Sequence, residues 1–266
     1  MQIDLSSRTA VVTGSTAGIG RAIAVAAARA GATVVVNGRE ESRTVEAARQ
    51  VAEEAGAAAE SVRSVAADVS TAEGAQKLID AVPDCDVLVN NAGIFAATPV
   101  FEITDGEWRR FFDVNVLSGV RLARHYAPRM AKRGWGRVLF VSSESAVMTP
   151  TEMVHYGMTK TAQLAVSRGM AQELKGSGVT VNSILPGPTL TPGVEEFITD
   201  RVGPGGSFEE AETAFIRQER PTSLLGRLIR PHEVAALAVY VASEHASATT
   251  GAALRVDGGV APTLIP

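Results

Sequence analysis

Residues 142–160 carry three side chains able to exchange a proton with a substrate oxygen. Ser143 stands just past an apolar run, residues 138–141, and Tyr156 and Lys160 lie four positions apart in a stretch patterned as a helix. Residues at this spacing sit one above the other on a helix face, so the two can share one site. A free phenol has a pKa of about 10, too high to trade protons near neutral pH. A neighbouring ammonium favours the phenolate and lowers that value. A shift of about three units corresponds to roughly 4 kcal/mol. The outcome would be a proton donor and acceptor suited to carbonyl and alcohol chemistry. The same pair also occurs on ordinary amphipathic helices with the ammonium in water, so the surroundings must decide.

Those surroundings begin at the N-terminus. Residues 9–12 read as a buried strand and run into Thr13-Gly14-Ser15-Thr16-Ala17-Gly18-Ile19-Gly20. A helical segment over 21–30 follows, ended by Gly31. Such a turn lets backbone approach a pyrophosphate, and the helix start offers free N–H groups. The glycines are spaced Gly-x-x-x-Gly-x-Gly rather than G-x-G-x-x-G, and a plain helix-entry turn is the alternative. Residues 33–37 complete a βαβ unit. Near the end of that strand a dinucleotide site can place an acid on the ribose 2′-hydroxyl. Here Gly38 takes roughly that place and Arg39 follows, whose planar fork suits a 2′-phosphate. The expectation is NADP ahead of NAD, although Glu40 and Glu41 stand near enough to reach a ribose.

Further along, Asp68, beside Val69, could accept from an adenine amino group or cap a helix starting near Thr71. A strand at 87–89 ends in Asn90-Asn91-Ala92-Gly93, small and amide residues of the kind found where ligands sit on open α/β sheets. A long helix over 104–132 contains Asn115, an amide that must be exposed or hydrogen-bonded. The strand 179–185 stops at Pro186-Gly187-Pro188. Over 190–227 glycine, proline and charge dominate, with a helix at 208–218. That segment reads as a lid over a site or as a surface excursion. A helix at 231–241 and a strand at 252–256 complete a single α/β domain.

The chain has 266 residues and a net charge of −4, which argues against nucleic acid or an anionic membrane as partner. One cysteine, Cys85, excludes an internal disulfide and fits a reducing, cytoplasmic setting. No signal peptide or membrane-spanning run is seen, and no metal-ligand cluster stands out.

Taken in series, these residues resemble the short-chain dehydrogenase/reductase family over nearly the whole chain. Gly14, Gly18 and Gly20 match its coenzyme loop, and with them Ser15, Thr16 and Ile19. Asp68 and Val69 match its adenine contact, and Asn91, Ala92 and Gly93 its sheet-stabilising motif. Asn115, Ser143, Tyr156 and Lys160 match its catalytic tetrad; Ser142 is the competing serine. Pro186, Gly187 and Thr189 match the strand end that holds the nicotinamide carboxamide. The resemblance implies a Rossmann-type three-layer α/β/α sandwich around a mostly parallel seven-stranded sheet, spanning 1–266 with a lid at 190–227. It also implies hydride transfer between NADP or NAD and a secondary alcohol or ketone, and a homotetramer. In that scheme Tyr156 moves the proton, Lys160 lowers its pKa and holds the nicotinamide ribose, Ser143 orients the substrate oxygen, and Asn115 holds a water. In general character the chain is similar to 3-oxoacyl-carrier-protein reductases and to gluconate-type dehydrogenases. Alternatives are an NAD-dependent sugar or polyol dehydrogenase and a non-catalytic dinucleotide sensor or scaffold. Glu144, beside the serine, departs from the small or apolar residue often found there.

Overall fold

The structure, a computed structural model, describes residues 2–202 and 207–264. Seven strands alternate with helices: β1 (Thr9–Val12), β2 (Thr33–Gly38), β3 (Val62–Ala66), β4 (Val87–Asn90), β5 (Gly136–Val141), β6 (Val179–Pro186) and β7 (Ala253–Val256). They form one sheet in the order β3-β2-β1-β4-β5-β6-β7, and every pairing is parallel. The helices are α1 (Gly18–Arg29), α2 (Glu41–Ala55), α3 (Ala72–Ala81), α4 (Asp105–Phe112), α5 (Ser118–Arg133), α6 (Val154–Glu173), α7 (Pro192–Val202), α8 (Phe208–Glu219) and α9 (Pro231–Ala242).

The strands are continuous apolar runs because helices cover both faces of the sheet. Their period of two splits each run between two cores. Val12, Val36, Val89 and Leu139 face the core under α1, α2 and α9. Val11, Val35, Leu88 and Phe140 face the one under α3 and α5. Cys85 fills a buried place in this second core.

Several expectations are revised. The helix at 104–132 is interrupted by a π-helical turn at Asp113–Leu117 that contains Asn115; such turns are rare and cluster at functional sites. The first helix begins at Gly18, inside the glycine loop. Asp68 does not cap the next helix: the Thr71 hydroxyl accepts from Gly74 N, while Asp68 Oδ1 accepts from the backbone and hydroxyl of Ser70. Within 190–227 there are two helices, α7 and α8, and residues 203–206 lie outside the described residues.

A parallel sheet brings the C-terminal ends of its strands to one edge. The chain leaves β1 towards β2 on one side and meets β4 on the other, the reversal of order where open α/β sheets hold ligands.

Candidate active site

One hydrogen-bond network ties the ends of β1, β2, β3 and β4 beneath the glycine loop. The Thr13 hydroxyl accepts from Asn91 N and Ala92 N, both at 3.0 Å. Asn91 Nδ2 donates to the carbonyls of Thr13 at 2.9 Å and Gly14 at 3.0 Å. The Ser15 hydroxyl donates to Val12 O and accepts from Asn37 N, and Asn37 Nδ2 donates to Val65 O and Ala67 O. Gly14 and Gly18 take φ of +60° and +57°, the left-handed region glycine favours. Ala17 precedes α1 without a side-chain cap, which leaves the helix's first N–H groups for an anion. The cradle therefore fits a dinucleotide.

Beside it, a Cβ at Gly38 would stand 2.5 Å from Thr16 Cγ2 and 2.6 Å from Thr44 Oγ1, so no acidic side chain fits there. Arg39 is exposed and has no ion pair among the described residues. The Glu40 carboxylate accepts from the Ser42 hydroxyl at 2.6 Å.

The second half of the site is a cavity of about 210 Å³. Ile19, Asn91 and Gly93 line it from the dinucleotide side, Ser143, Tyr156 and Lys160 from β5 and α6, and Pro186, Gly187 and Thr189 from the end of β6. Gly14, Ser15, Thr16, Arg39 and Asp68 lie outside its wall, on the loops that follow β1, β2 and β3, and Gly18 and Gly20 lie outside it in the first turn of α1. Val69 is buried in the core.

Asn115 is also behind the wall. Its Oδ1 accepts from Ile94 N at 2.8 Å, and its Nδ2 donates to Ile94 O at 3.0 Å and to the Thr159 hydroxyl at 2.9 Å. It thus pins the segment after β4 to α6, next to Lys160. Ser142 also lines the cavity, but its hydroxyl is committed, donating to Lys160 O at 2.9 Å.

Lys160 Nζ donates to Val141 O at 2.9 Å and lies 5.5 Å from the centre of the Tyr156 ring. Burial pulls the Lys160 pKa down to about 8, partly opposed by Glu144. The Tyr156 phenol is pushed above its ordinary value, first by burial and then by the Glu144 carboxylate; Ser143 and Arg220 offset part of this. The expected lowering of Tyr156 by Lys160 is not found: the groups that lower it are Ser143 and Arg220, while desolvation and a buried carboxylate both favour the neutral phenol. The Tyr156 phenol therefore keeps its proton at neutral pH.

Residues the sequence reading missed include Thr13, the anchor of the loop, and Phe95, Met153, Phe197, Phe215 and Arg220, which line the cavity. Thr13 was readable as a hydroxyl at a strand end. Arg220 lies in a segment with no periodic pattern, and nothing local marks it.

A family model described as Enoyl-(Acyl carrier protein) reductase matches residues 14–261. The uncharacterized oxidoreductase YvaG of Bacillus subtilis is 46% identical over 262 residues, 98% of each chain. D-beta-hydroxybutyrate dehydrogenase of Rhizobium meliloti is 35% identical, over 95% of this chain and 98% of its own. Among solved structures, L-sorbose reductase from Gluconobacter frateurii, complexed with NADPH and L-sorbose, superposes with a TM-score of 0.93 at 34% identity, covering 99% of this chain and 100% of its own. The chain belongs to the short-chain dehydrogenase/reductase family and is an NAD(P)-dependent oxidoreductase acting on CH–OH and C=O groups.

Proposed function

We propose that the chain is an NADP(H)-preferring oxidoreductase of secondary alcohols and ketones in which Tyr156, Ser143, Lys160 and Asn115 do the protein's part of the chemistry. The observation that carries this is the meeting of Ser143, Tyr156 and Lys160 with the strand ends at Gly93 and Gly187 in one cavity. A bound nicotinamide supplies or accepts the hydride. Tyr156 gives the proton to the carbonyl oxygen or takes it from the alcohol, and Ser143, whose own hydroxyl donates to Glu144, orients that oxygen by accepting from its alcohol form. The Lys160 ammonium stabilises the phenolate that remains and binds the nicotinamide ribose. Asn115 fixes Lys160's surroundings, since both N–H groups of its amide are committed to Ile94 and Thr159; a water on the way to solvent would meet its remaining lone pairs. Gly14 to Gly20 hold the pyrophosphate, Asp68 and the backbone of Val69 meet the adenine, and Pro186, Gly187 and Thr189 meet the carboxamide.

The preference for NADP rests on the space at Gly38, closed to an acid, and on the exposed Arg39 beside it. The NADPH carried by the sorbose reductase agrees. Arg39→Ala is expected to weaken NADPH binding by about 10- to 100-fold, the worth of one or more charge-assisted hydrogen bonds, while NADH binding stays as it was. Equal titrations of NADPH in both proteins would remove this argument and favour the NAD-dependent reading.

Within the proposed lid at 190–227, Val194, Phe197 and Phe215 line the cavity. An acyl carrier protein is not the partner we favour. Gly134 and Ser177 replace the arginines such reductases carry, and nearby Arg129 and Arg133 are both held by Asp84, at 3.2 and 3.0 Å. No helix among the described residues is long and apolar enough to cross a membrane, and the lone buried cysteine suits the cytoplasm. The assembly we expect is a homotetramer. Trp108, Phe112 and Met158 of α4 and α6 border a shallow hollow suited to helix pairing between subunits. Light scattering should give the mass of four chains, and a monomer would end that expectation.

The test of the whole reading is NADPH oxidation against a broad panel of ketones. Tight NADPH binding with no oxidation by any of them would point instead to a sensor or scaffold.

A further inference from the structure

We propose that Glu144 and Arg220 form a subsite for a hydroxyl group on the carbon next to the reacting one, so that the substrates are α-hydroxy ketones and the vicinal diols they become. The inference rests on the oxidoreductase reading above and names the substrate class for the same cavity.

Both side chains line the cavity, and both are buried, Glu144 with 4% and Arg220 with 7% of its surface exposed. Glu144 Oε2 accepts from the Ser143 hydroxyl. That bond sets the carboxylate one hydrogen bond away from the group that holds the reacting oxygen. The other oxygen, Oε1, faces Arg220 Nε at 3.8 Å, which is too long for a hydrogen bond. Arg220 Nε has no hydrogen-bond partner among the described residues. Its neighbour Nη1 donates to Glu219 O at 2.7 Å and stands 4.0 Å from Glu152 Oε1.

A buried N–H left unpaired is costly, and taking two opposite charges out of water without bonding them together gives little in return. The arrangement makes sense when a third group joins the two. That group has to donate to Glu144 Oε1 and accept from Arg220 Nε through one atom. A carbonyl oxygen only accepts and an ammonium only donates, whereas a hydroxyl does both. One oxygen at about 2.8 Å from each can bridge atoms that far apart. Oxygens on adjacent carbons in a gauche arrangement stand about one hydrogen bond apart, the same spacing that separates Ser143 from Glu144. An acidic group is a poor occupant, because Glu144 and Glu152 flank the guanidinium and would repel a second carboxylate.

In the reduction, the ketone carbon takes a hydride from the reduced nicotinamide cofactor and the ketone oxygen takes the Tyr156 proton. The product is a vicinal diol and the cofactor is left oxidised. The neighbouring hydroxyl keeps its proton and only orients the substrate.

The experiment compares kcat/KM with saturating NADPH for hydroxyacetone, acetone and an acetoacetyl thioester, in the wild type, Arg220→Met and Glu144→Gln. A site built around a substrate hydroxyl rejects the analogue lacking it strongly, so the wild type should prefer hydroxyacetone to acetone by at least about 10²-fold. Each variant should lose at least about 10-fold of that ratio, since one side of the subsite is worth a charge-assisted hydrogen bond. For Arg220→Met the loss should fall on KM. Because Glu144 also touches Ser143, the ratio between substrates, not the absolute rate, reports the subsite. A wild-type ratio near one, a ratio unchanged in both variants, or a preference for the thioester overturns the inference and leaves the oxidoreductase reading standing. Failure to oxidise NADPH with any of the three and with the broad ketone panel overturns both.

Discussion

Tyr156→Phe is expected to lower kcat by at least about 10²-fold, and by as much as about 10⁴-fold, in line with the loss of a positioned general acid. In the proposed reaction the phenol is the cavity's proton donor to a carbonyl oxygen. The Ser143 hydroxyl proton is taken by Glu144, and Lys160 directs one of its protons to Val141 O. Burial and the Glu144 carboxylate hold the phenol neutral, so at neutral pH it stands ready to donate, which favours reduction of the ketone. Phenylalanine retains the ring that packs edge-on against Phe95, with centroids 6.4 Å apart. The variant should therefore fold and bind NADPH as the wild type does, and the loss should appear in kcat. The pH profile carries a second signature. Lys160, lowered to about 8, is an ammonium below that pH and neutral above it. The charge that stabilises the phenolate after proton transfer disappears as pH rises through about 8. The reduction rate should fall there, and Lys160→Met should be slow at every pH and lack that limb. A Tyr156→Phe enzyme with near-normal turnover would take the proton-donor role away from this residue.

What was legible in the sequence are features written in contiguous residues. The glycines at 14, 18 and 20 constrain a backbone that turns directly from β1 into α1, so their spacing speaks for itself. The Tyr156–Lys160 pair obeys the helix period, and the strands show as apolar runs because both faces of a parallel sheet are covered. What was hidden depends on contacts made through space. Arg220 reaches the cavity from the end of α8, and no residue near it in sequence announces that. The high pKa of Tyr156 arises from burial and from Glu144, whose orientation follows from its bond to Ser143. The π-helical turn at Asp113–Leu117 alters the helical period over one turn only, too briefly to disturb an apolar pattern. Helix α7 did leave a trace. Val194, Phe197 and Ile198 follow the i, i+3, i+4 spacing and pack with Phe215, Ile216 and Leu228, but Pro192, Gly193 and two glutamates obscure so short a repeat.

Gly20→Ala is expected to weaken NADPH binding by about 10- to 100-fold, the equivalent of the roughly 1–3 kcal/mol that overpacking costs. A Cβ on Gly20 would stand 2.4 Å from Asn91 Nδ2, 2.6 Å from Gly14 O and 3.0 Å from Ser15 Cα. Asn91 could swing aside only by giving up its bonds to the carbonyls of Thr13 and Gly14. The Gly14 carbonyl belongs to the loop itself and moves only if the cradle opens. Either response disturbs the surface that meets the pyrophosphate, while β5, α6 and the groups around Tyr156 are left in place. Affinity measured by fluorescence titration should therefore fall much more than kcat at saturating NADPH. Gly56→Ala separates this effect from general destabilisation. Gly56, unlike Gly20, has a positive φ, +64°, and its Cβ would meet nothing within 4 Å. That variant should lose about 1 kcal/mol of stability through backbone strain and bind NADPH as before. Equal losses of affinity in the two variants would trace the effect to folding, and unchanged affinity in Gly20→Ala would mean that the loop is not where the pyrophosphate sits.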